Sequence, residues 1–125
     1  MIVGIGTQVI ECVRVRKLID RHGEAFLRRV YTAGEIGRCN ADPRTTEAFA
    51  AVWAAKDAVF RALGCRWRRG MDWTDVEIGA GNAVAVGGAA ADRMARAGAA
   101  RVLVTTACTR AFATATGIAL AQRAG

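Results

Sequence analysis

Residues 49–64 read FAAVWAAKDAVFRALG, and this stretch decides the fold. On a helix with about 3.6 residues per turn, Phe49, Trp53 and Phe60 fall on one face together with Leu63. An apolar stripe of this kind is what a helix buries against a core. The stripe is followed by a glycine, the residue type that commonly ends a helix. The stretch therefore predicts one long helix that packs on the core of the protein.

Lys56 lies in the middle of the same apolar stripe. An unpaired buried charge is too costly, so this lysine must reach an edge, pair with a carboxylate or hold an anion. The neighbouring Asp57 adds a carboxylate on the flank of that face. A cation and an anion at the border of a packed helix suggest a site for a phosphate, with a metal ion as a second option.

The composition describes a basic chain of one domain, residues 1–125. The net charge of +7 predicts an acidic partner, which could be nucleic acid, a phosphorylated ligand, an anionic membrane or an acidic protein. We expect no nucleic acid, because no base-reading signature is present. The densest basic run contains Arg66, Arg68 and Arg69, and it is either an anion-binding segment or a solvated loop.

The cysteines and the apolar runs indicate the cellular compartment in which the protein is expected. The four cysteines are scattered, with no paired spacing, which predicts free thiols in a reducing cytoplasm. Residues 1–6 are strand-like and do not resemble a signal peptide. No apolar run reaches the length of a membrane span, so we expect no membrane contact.

The other segments predict an α+β domain in which helices pack on an antiparallel sheet. Thr32 and Glu35 form a capping-box pattern, and Thr45 or Thr46 is expected to cap the long helix. The last two strands should pair as a hairpin. The predicted strands are residues 1–10, 73–78, 83–86, 101–106 and 111–120, and the other predicted helices are residues 11–21, 24–31, 32–39 and 88–96.

Three stretches resemble the holo-acyl-carrier-protein synthase family. Residues 1–11, MIVGIGTQVIE, resemble its opening pattern, G-[IV]-G-x-D-[IL]. Residues 49–64 resemble its central helix, F-A-x-R-[FW]-A-x-K-E-A-x-x-K-A-L-G. Residues 105–113, TTACTRAFA, resemble its last hairpin, S-x-[ST]-H-[ST]-x-x-[YF]-A. The order of the three stretches and the chain length also match, so the resemblance covers nearly the whole chain.

This resemblance implies an activity and its partners. Members of the family move the 4′-phosphopantetheine arm of coenzyme A onto a serine of a carrier protein, and they form trimers with active sites between subunits. We therefore expect coenzyme A as substrate, an acyl carrier protein as partner and a homotrimer. The family also implies Mg²⁺, held by one carboxylate on the first strand and one on the long helix.

The resemblance also assigns roles to residues. Lys56 is expected beside the phosphates, where it assists proton transfer, and Asp57 is the candidate metal ligand. The residues expected to contact coenzyme A are Lys56, Arg66, Thr105 and Thr109. The basic residues expected to meet the acidic helix of the carrier protein are Arg14, Lys17, Arg21 and Arg28.

Four positions depart from the family pattern. Gln8 stands where the family has its metal-binding Asp, and Asp57 stands where it has Glu. Val52 replaces a usual Arg, and Cys108 replaces a usual His. A neutral amide weakens the attraction for a hard cation, and an aspartate reaches about 1.5 Å less far than a glutamate. Lys56 is retained, so the candidate catalytic set of Lys56, Asp57, Gln8 and Cys108 is altered at its last three members.

Several roles stay open for these residues. Lys56 is a phosphate ligand or a lysine that reaches the helix edge. Asp57 is a metal ligand, a general base or the partner of Lys56. Gln8 either orients a substrate or plugs a lost metal site. Cys108 is either a small hydrophobic residue or a nucleophile whose thiol is acidified by a neighbouring cation.

Three functions follow from these alternatives. The first is the transfer of phosphopantetheine that the family performs. The second is a repurposed, metal-independent enzyme that carries out proton transfer, cyclisation or dehydration on an acyl or polyketide-type substrate. The third is a non-catalytic module that binds a carrier protein or coenzyme A.

Overall fold

The computed structural model describes residues 1–65 and 70–122, and it confirms the predicted α+β class. Strands β1, β5 and β4 form an antiparallel sheet in that order, and β2 pairs with β3 in a separate antiparallel ribbon. The strands are β1 (Ile2–Glu11), β2 (Val76–Ile78), β3 (Val84–Val86), β4 (Ala99–Cys108) and β5 (Phe112–Ala121). The helices are α1 (Cys12–His22), α2 (Glu24–Val30), α3 (Ala33–Ala41), α4 (Thr45–Ala62) and α5 (Gly88–Arg96).

Helix α4 lies directly on the three-stranded sheet because three glycines face it, two on β1 and one on β5. A Cβ atom at Gly6 would lie 2.3 Å from the backbone oxygen of Ala58, and one at Gly4 would lie 1.8 Å from that of Ala62. A Cβ atom at Gly117 of β5 would lie 2.9 Å from the same Ala58 oxygen. The buried residues at this contact are consequently mostly small, with Ala58 and Ala62 on α4 and Ala113, Ala115 and Ala119 on β5.

The local sequence signals were confirmed in part. Thr32 and Glu35 form the predicted capping box, and Gly64 has φ = 69° just beyond α4. The predicted cap of α4 was wrong, because Arg44 is the N-cap and the Thr45 hydroxyl donates to the Asp42 carbonyl. The predicted strand at 73–78 is also shorter than expected, since a 3₁₀ turn, Trp73–Asp75, precedes β2.

The opposite face of the three-stranded sheet is open and partly apolar. Ile5 and Val9 of β1 are 61% and 58% exposed, and Leu103 of β4 and Phe112 of β5 are about half exposed. Because successive strand residues point to opposite faces, these four side chains lie away from α4. Within the described residues, no helix is both long and apolar enough to cross a membrane.

Candidate active site

A cleft of about 310 Å³ opens where the end of β1 meets the middle of α4. The β1 side of the cleft has both polar and apolar residues, and two tryptophans, Trp53 of α4 and Trp73 of the 3₁₀ turn, supply its aromatic part. The described residues that line it are Gln8, Val9, Ile10, Glu11, Arg14, Trp53, Asp57 and Trp73. Two of the four candidate catalytic residues, Gln8 and Asp57, therefore meet in one cleft although 49 positions separate them in the sequence.

Asp57 is held by two neighbours that both contact the same carboxylate oxygen. The Gln8 side-chain amide donates to Asp57 Oδ2. The Arg61 Nε donates to the same oxygen over 3.0 Å, as an ion pair one helical turn further along α4. The Gln8 Oε1 atom in turn accepts from the backbone N–H of Val9 at 2.9 Å. In the cluster Gln8–Asp57–Arg61, an amide and a guanidinium thus both donate hydrogen bonds to one carboxylate.

This arrangement does not fit a Mg²⁺ ion. Magnesium prefers a set of oxygen ligands that includes carboxylates. Here Gln8 directs its donor group to Asp57 and its oxygen to the backbone, and Arg61 supplies a competing positive charge. In the described part of the chain, no group of three or more His, Cys, Asp or Glu side chains could hold a metal. Both alternatives for Gln8, orienting a substrate and plugging a lost metal site, stay predictions.

Lys56 does not reach the cleft. Its side chain is fully buried, and its ammonium donates to Glu35 Oε1 at 2.7 Å and to the Val76 carbonyl at 2.6 Å. The partner of Lys56 is therefore Glu35 rather than Asp57, and the third alternative for Asp57 was wrong. Burial lowers the pKa of Lys56, while the hydrogen bond that Lys56 donates to the Glu35 carboxylate opposes this shift. Phosphate binding by Lys56 stays a prediction, and this position gives it no support.

The aromatic side of the cleft was not predicted. Trp53 and Trp73 pack edge to face with ring centroids 5.9 Å apart, and Trp73 packs in the same way on Phe60 at 5.6 Å. The Trp53 Nε1 donor is buried without a hydrogen-bond partner among the described residues. Trp53 was taken only as a core residue, since a tryptophan on an apolar stripe usually has that role.

The candidate residues of the last hairpin lie outside the described lining of the cleft. Thr105 is exposed on the sheet face away from α4, and the Thr109 hydroxyl accepts from the backbone of the β4–β5 turn at Ala111 and Phe112. Burial raises the pKa of the Cys108 thiol, whereas an activated nucleophile needs a lowered one. The structure therefore supplies no activation of Cys108.

The candidate partner-binding residues are exposed basic side chains. Arg14, Lys17 and Arg21 lie at three- and four-residue spacings on α1, so they share one face of that helix. Arg28 lies on α2, where it pairs with Glu24 at 3.2 Å. Arg14 belongs to both the basic face and the cleft. Arg66, expected to contact coenzyme A, lies outside the described residues.

Two contributors to the site were missed in the sequence. Arg61 is spaced four residues from Asp57, the usual spacing of a helical ion pair, and that signal could have found it. Glu35 was recognised only as a capping residue, although it also binds Lys56. No local pattern connects residues 35 and 56, because they are on different helices.

Comparisons with known proteins give a family match over most of the chain. The sequence model of the family described as the 4′-phosphopantetheinyl transferase superfamily matches residues 4–106. The holo-[acyl-carrier-protein] synthase of Rhodopirellula baltica is 52% identical over 77 residues, which cover 62% of this chain and 61% of that protein. The corresponding synthase of Solibacter usitatus is 41% identical over 78 residues, or 62% of each protein. The match thus spans about three-fifths of the length of these curated relatives.

Solved structures share the fold over a larger part of the chain. The crystal structure of a holo-[acyl-carrier-protein] synthase from Neisseria meningitidis has a TM-score of 0.80 and 26% identity, covering 95% of this chain and 98% of that one. The Helicobacter pylori synthase in complex with coenzyme A has a TM-score of 0.75 and 21% identity, covering 92% and 98%. The latter identity supports similarity of fold alone.

The buried ion pair predicts a stability defect for Lys56→Met. The substitution leaves the Glu35 carboxylate buried without its cation, so we expect the free energy of unfolding to fall by roughly 3–5 kcal/mol. Denaturant unfolding followed by circular dichroism measures this change. The control is Lys17→Met on the exposed face of α1, which should change stability by less than about 0.5 kcal/mol. Equal stability of Lys56→Met and the native chain would show that the pair is not formed.

The cleft predicts that Gln8→Asp creates a binding site for divalent cations. The new carboxylate would face Asp57 and supply the second anionic ligand that a hard cation needs. Titration with Mn²⁺, followed by electron paramagnetic resonance, should show tighter binding to Gln8→Asp than to the native chain, by about tenfold or more. Gln122→Asp is the matched control, because it makes the same substitution at an exposed position just beyond β5, outside the described lining of the cleft, and should bind no better than the native chain. Tight Mn²⁺ binding by the native chain would contradict this interpretation.

Proposed function

Because the chain belongs to the 4′-phosphopantetheinyl transferase superfamily, we propose that it transfers the 4′-phosphopantetheine arm of coenzyme A to a serine of an acyl carrier protein. One observation carries the proposal. The match over residues 4–106 includes both walls of the cleft, since Gln8 is on β1 and Asp57 is on α4. The curated relatives that share this region are named holo-[acyl-carrier-protein] synthases.

Coenzyme A is the proposed donor substrate. The synthases from Helicobacter pylori and Bacillus anthracis, which have this fold, were solved in complexes described as containing coenzyme A. In this chain the cleft offers an aromatic wall, Trp53 and Trp73, and a guanidinium, Arg14. An apolar surface beside a cation suits a ligand that has both a hydrocarbon arm and phosphates. Arg66, Thr105 and Thr109 remain candidate contacts for the same ligand.

The proposed chemistry assigns charge stabilisation to arginines. Transfer of a phosphoryl group depends mainly on positioning and on cations near the phosphate oxygens. Since the described residues do not fit Mg²⁺, we assign this role to Arg14 and Arg61. Both contacts to Asp57 are made by Oδ2, so Oδ1 is the oxygen proposed to accept the proton of the attacking serine. Gln8 then acts as a positioning residue for Asp57.

The acyl carrier protein is proposed to dock on α1. Arg14, Lys17 and Arg21 form a basic face on this helix, and Arg14 also borders the cleft. An acidic helix bound there would bring its serine close to the cleft, and opposite charges would speed the encounter. Arg28 can extend the basic surface onto α2. The net charge of +7 and the free cysteines fit an acidic partner in a reducing compartment, which we propose to be the cytoplasm.

A second candidate function rests on the same cluster. Gln8 and Arg61 hold Asp57 in place, which suits a metal-independent reaction. A fixed carboxylate in a partly aromatic cleft is equipped for proton transfer, and hence for cyclisation or dehydration of an acyl or polyketide-type substrate. A non-catalytic module that binds coenzyme A or a carrier protein is the third alternative.

Transfer is tested by intact mass spectrometry of an apo acyl carrier protein incubated with this chain and coenzyme A. We expect a mass gain of one phosphopantetheine group that persists in excess chelator, because the charge stabilisation comes from arginines. Asp57→Asn should reduce the initial rate at least about 100-fold, because the proposed general base is lost. The charge reversal Arg21→Glu should raise the KM for the carrier protein and leave kcat unchanged.

The controls for this assay separate the candidate functions. Arg96→Glu, an exposed change at the end of α5, makes the same charge reversal away from the cleft and should leave both constants unchanged. An absence of transfer across several carrier proteins, while an established transferase modifies them, would reject the proposal. Saturable binding of coenzyme A without turnover would then identify the binding module.

We further propose that the chain assembles as a homotrimer through the open face of its three-stranded sheet. Ile5, Val9, Leu103 and Phe112 leave an apolar surface there that α4 does not cover. Exposed apolar patches of this kind commonly mark interfaces between proteins.

The assembly is tested by analytical ultracentrifugation. We expect the native chain to sediment as a trimer and Ile5→Arg to sediment as a monomer, since a charge would be buried in the interface. Val13→Arg is the control, because Val13 is equally exposed but lies on α1. A native chain that stays monomeric at micromolar concentration would refute this assembly.

A further inference from the structure

Two of the four cysteines lie side by side at one end of the sheet. Cys12 begins α1 directly after β1, and Cys108 ends β4. The Cys108 thiol donates to the Thr109 carbonyl at 3.4 Å, and the Cys12 thiol approaches the same oxygen at 3.7 Å. Each thiol also affects the pKa of the other. Two sulfur atoms that both lie within 3.7 Å of the Thr109 carbonyl oxygen are neighbours in space.

The backbone around the pair holds both cysteines on the same side of the sheet. Strand β5 lies between β1 and β4, and its Ala113 is opposite Ile10 on one side and Cys108 on the other. The backbone N–H of Cys12 donates to the Ala111 carbonyl at 2.9 Å, which turns α1 back over this end of β5. The Cys108 thiol also lies 3.7 Å from the Glu47 carbonyl in the first turn of α4. Cys108 therefore faces the helices, as Cys12 does.

The two thiols differ in access to solvent. Cys108 is exposed, whereas Cys12 is 3% exposed. The accessible thiol can be reached by an oxidant, and the shielded one is placed to resolve the product. Because burial raises the pKa of Cys108, we expect the first of these steps to be slow at neutral pH. Cys39 and Cys65 have no such neighbour among the hydrogen bonds of the described residues.

We propose that Cys12 and Cys108 form a reversible disulfide that fastens the start of α1 to the end of β4. The proposed oxidant is a low-molecular-weight disulfide. The Cys108 thiolate attacks one sulfur of the oxidant, forms a mixed disulfide and releases one thiol. The Cys12 thiolate then attacks the Cys108 sulfur and releases the second thiol. The two cysteines together lose two electrons and two protons, and the oxidant is reduced to two thiols.

The bond would act on the cleft through α1. Glu11 and Arg14, which lie on either side of Cys12, both line the cleft. A covalent link at Cys12 would restrict the motion of this segment relative to the β4–β5 turn. The site is distinct from the cluster around Asp57, so it adds a redox response to whatever reaction the cleft performs.

The experiment treats the full, reduced chain with oxidised glutathione and maps its peptides without reduction. Each cysteine lies in a different tryptic peptide, so a bond between Cys12 and Cys108 would join residues 1–14 to residues 102–110. We expect this linked peptide as the main product. Burial raises the pKa of both thiols, so the rate should increase by roughly tenfold per pH unit near neutrality. The oxidised chain should also melt at least about 5 °C higher, because the bond closes a long loop.

Serine variants provide the controls. Cys108→Ser should prevent the reaction, and Cys12→Ser should stop it at the mixed disulfide between Cys108 and glutathione. Cys65→Ser should leave the linked peptide unchanged. A native chain that remains at the mixed disulfide, links other cysteines or does not react would overturn the proposal. The native peptide map decides this without any variant, and it does not depend on whether the chain transfers phosphopantetheine.

Discussion

The buried ion pair between Lys56 and Glu35 is the interaction on which the rest of the structure depends. Glu35 accepts from Lys56 and from the Thr32 N–H with one oxygen, and from the Ile78 N–H with the other. Lys56 donates to the Val76 carbonyl as well. One pair of charges thus joins α3, α4 and β2. Such a pair is tolerable in the interior because its hydrogen-bonding groups find partners, and removing one partner would leave a costly charge behind.

Because Lys56 belongs to this pair, it and the adjacent Asp57 of α4 contact different parts of the structure. Successive residues of a helix are turned by about 100°, so Lys56 points to α3 and β2 while Asp57 points to β1. The lysine fixes the ribbon that follows the Trp73 turn, and the aspartate forms the floor of the cleft. The basic and acidic residues that looked like one site in the sequence therefore lie in two places, Lys56 in the buried ion pair and Asp57 in the cleft.

The sequence predicted the helices and strands well because their signals are local. The stripe of α4, the capping box at Thr32 and the β4–β5 hairpin depend on residues a few positions apart, and all three were found. The sequence also predicted that Lys56 needs a partner, but not which one, because Glu35 is on another helix. The family resemblance did place Gln8 and Asp57 at the two ligand positions of one expected metal site, whereas the approach of Cys12 to Cys108 was not predicted. Such contacts depend on tertiary packing, which no local pattern reports.

The glycines beneath α4 have a consequence for how this fold can change over time. Gly4 and Gly6 let the helix backbone rest on the backbone of β1, so the spacing between these two elements is set without side chains. Gln8 and Asp57 project from this fixed frame into the cleft. A lineage can therefore exchange the functional groups at positions 8 and 57 without rebuilding the core beneath them. The residues of the cleft can change while the fold stays the same. The reaction of an ancestor can therefore be weakened or replaced before the fold is affected.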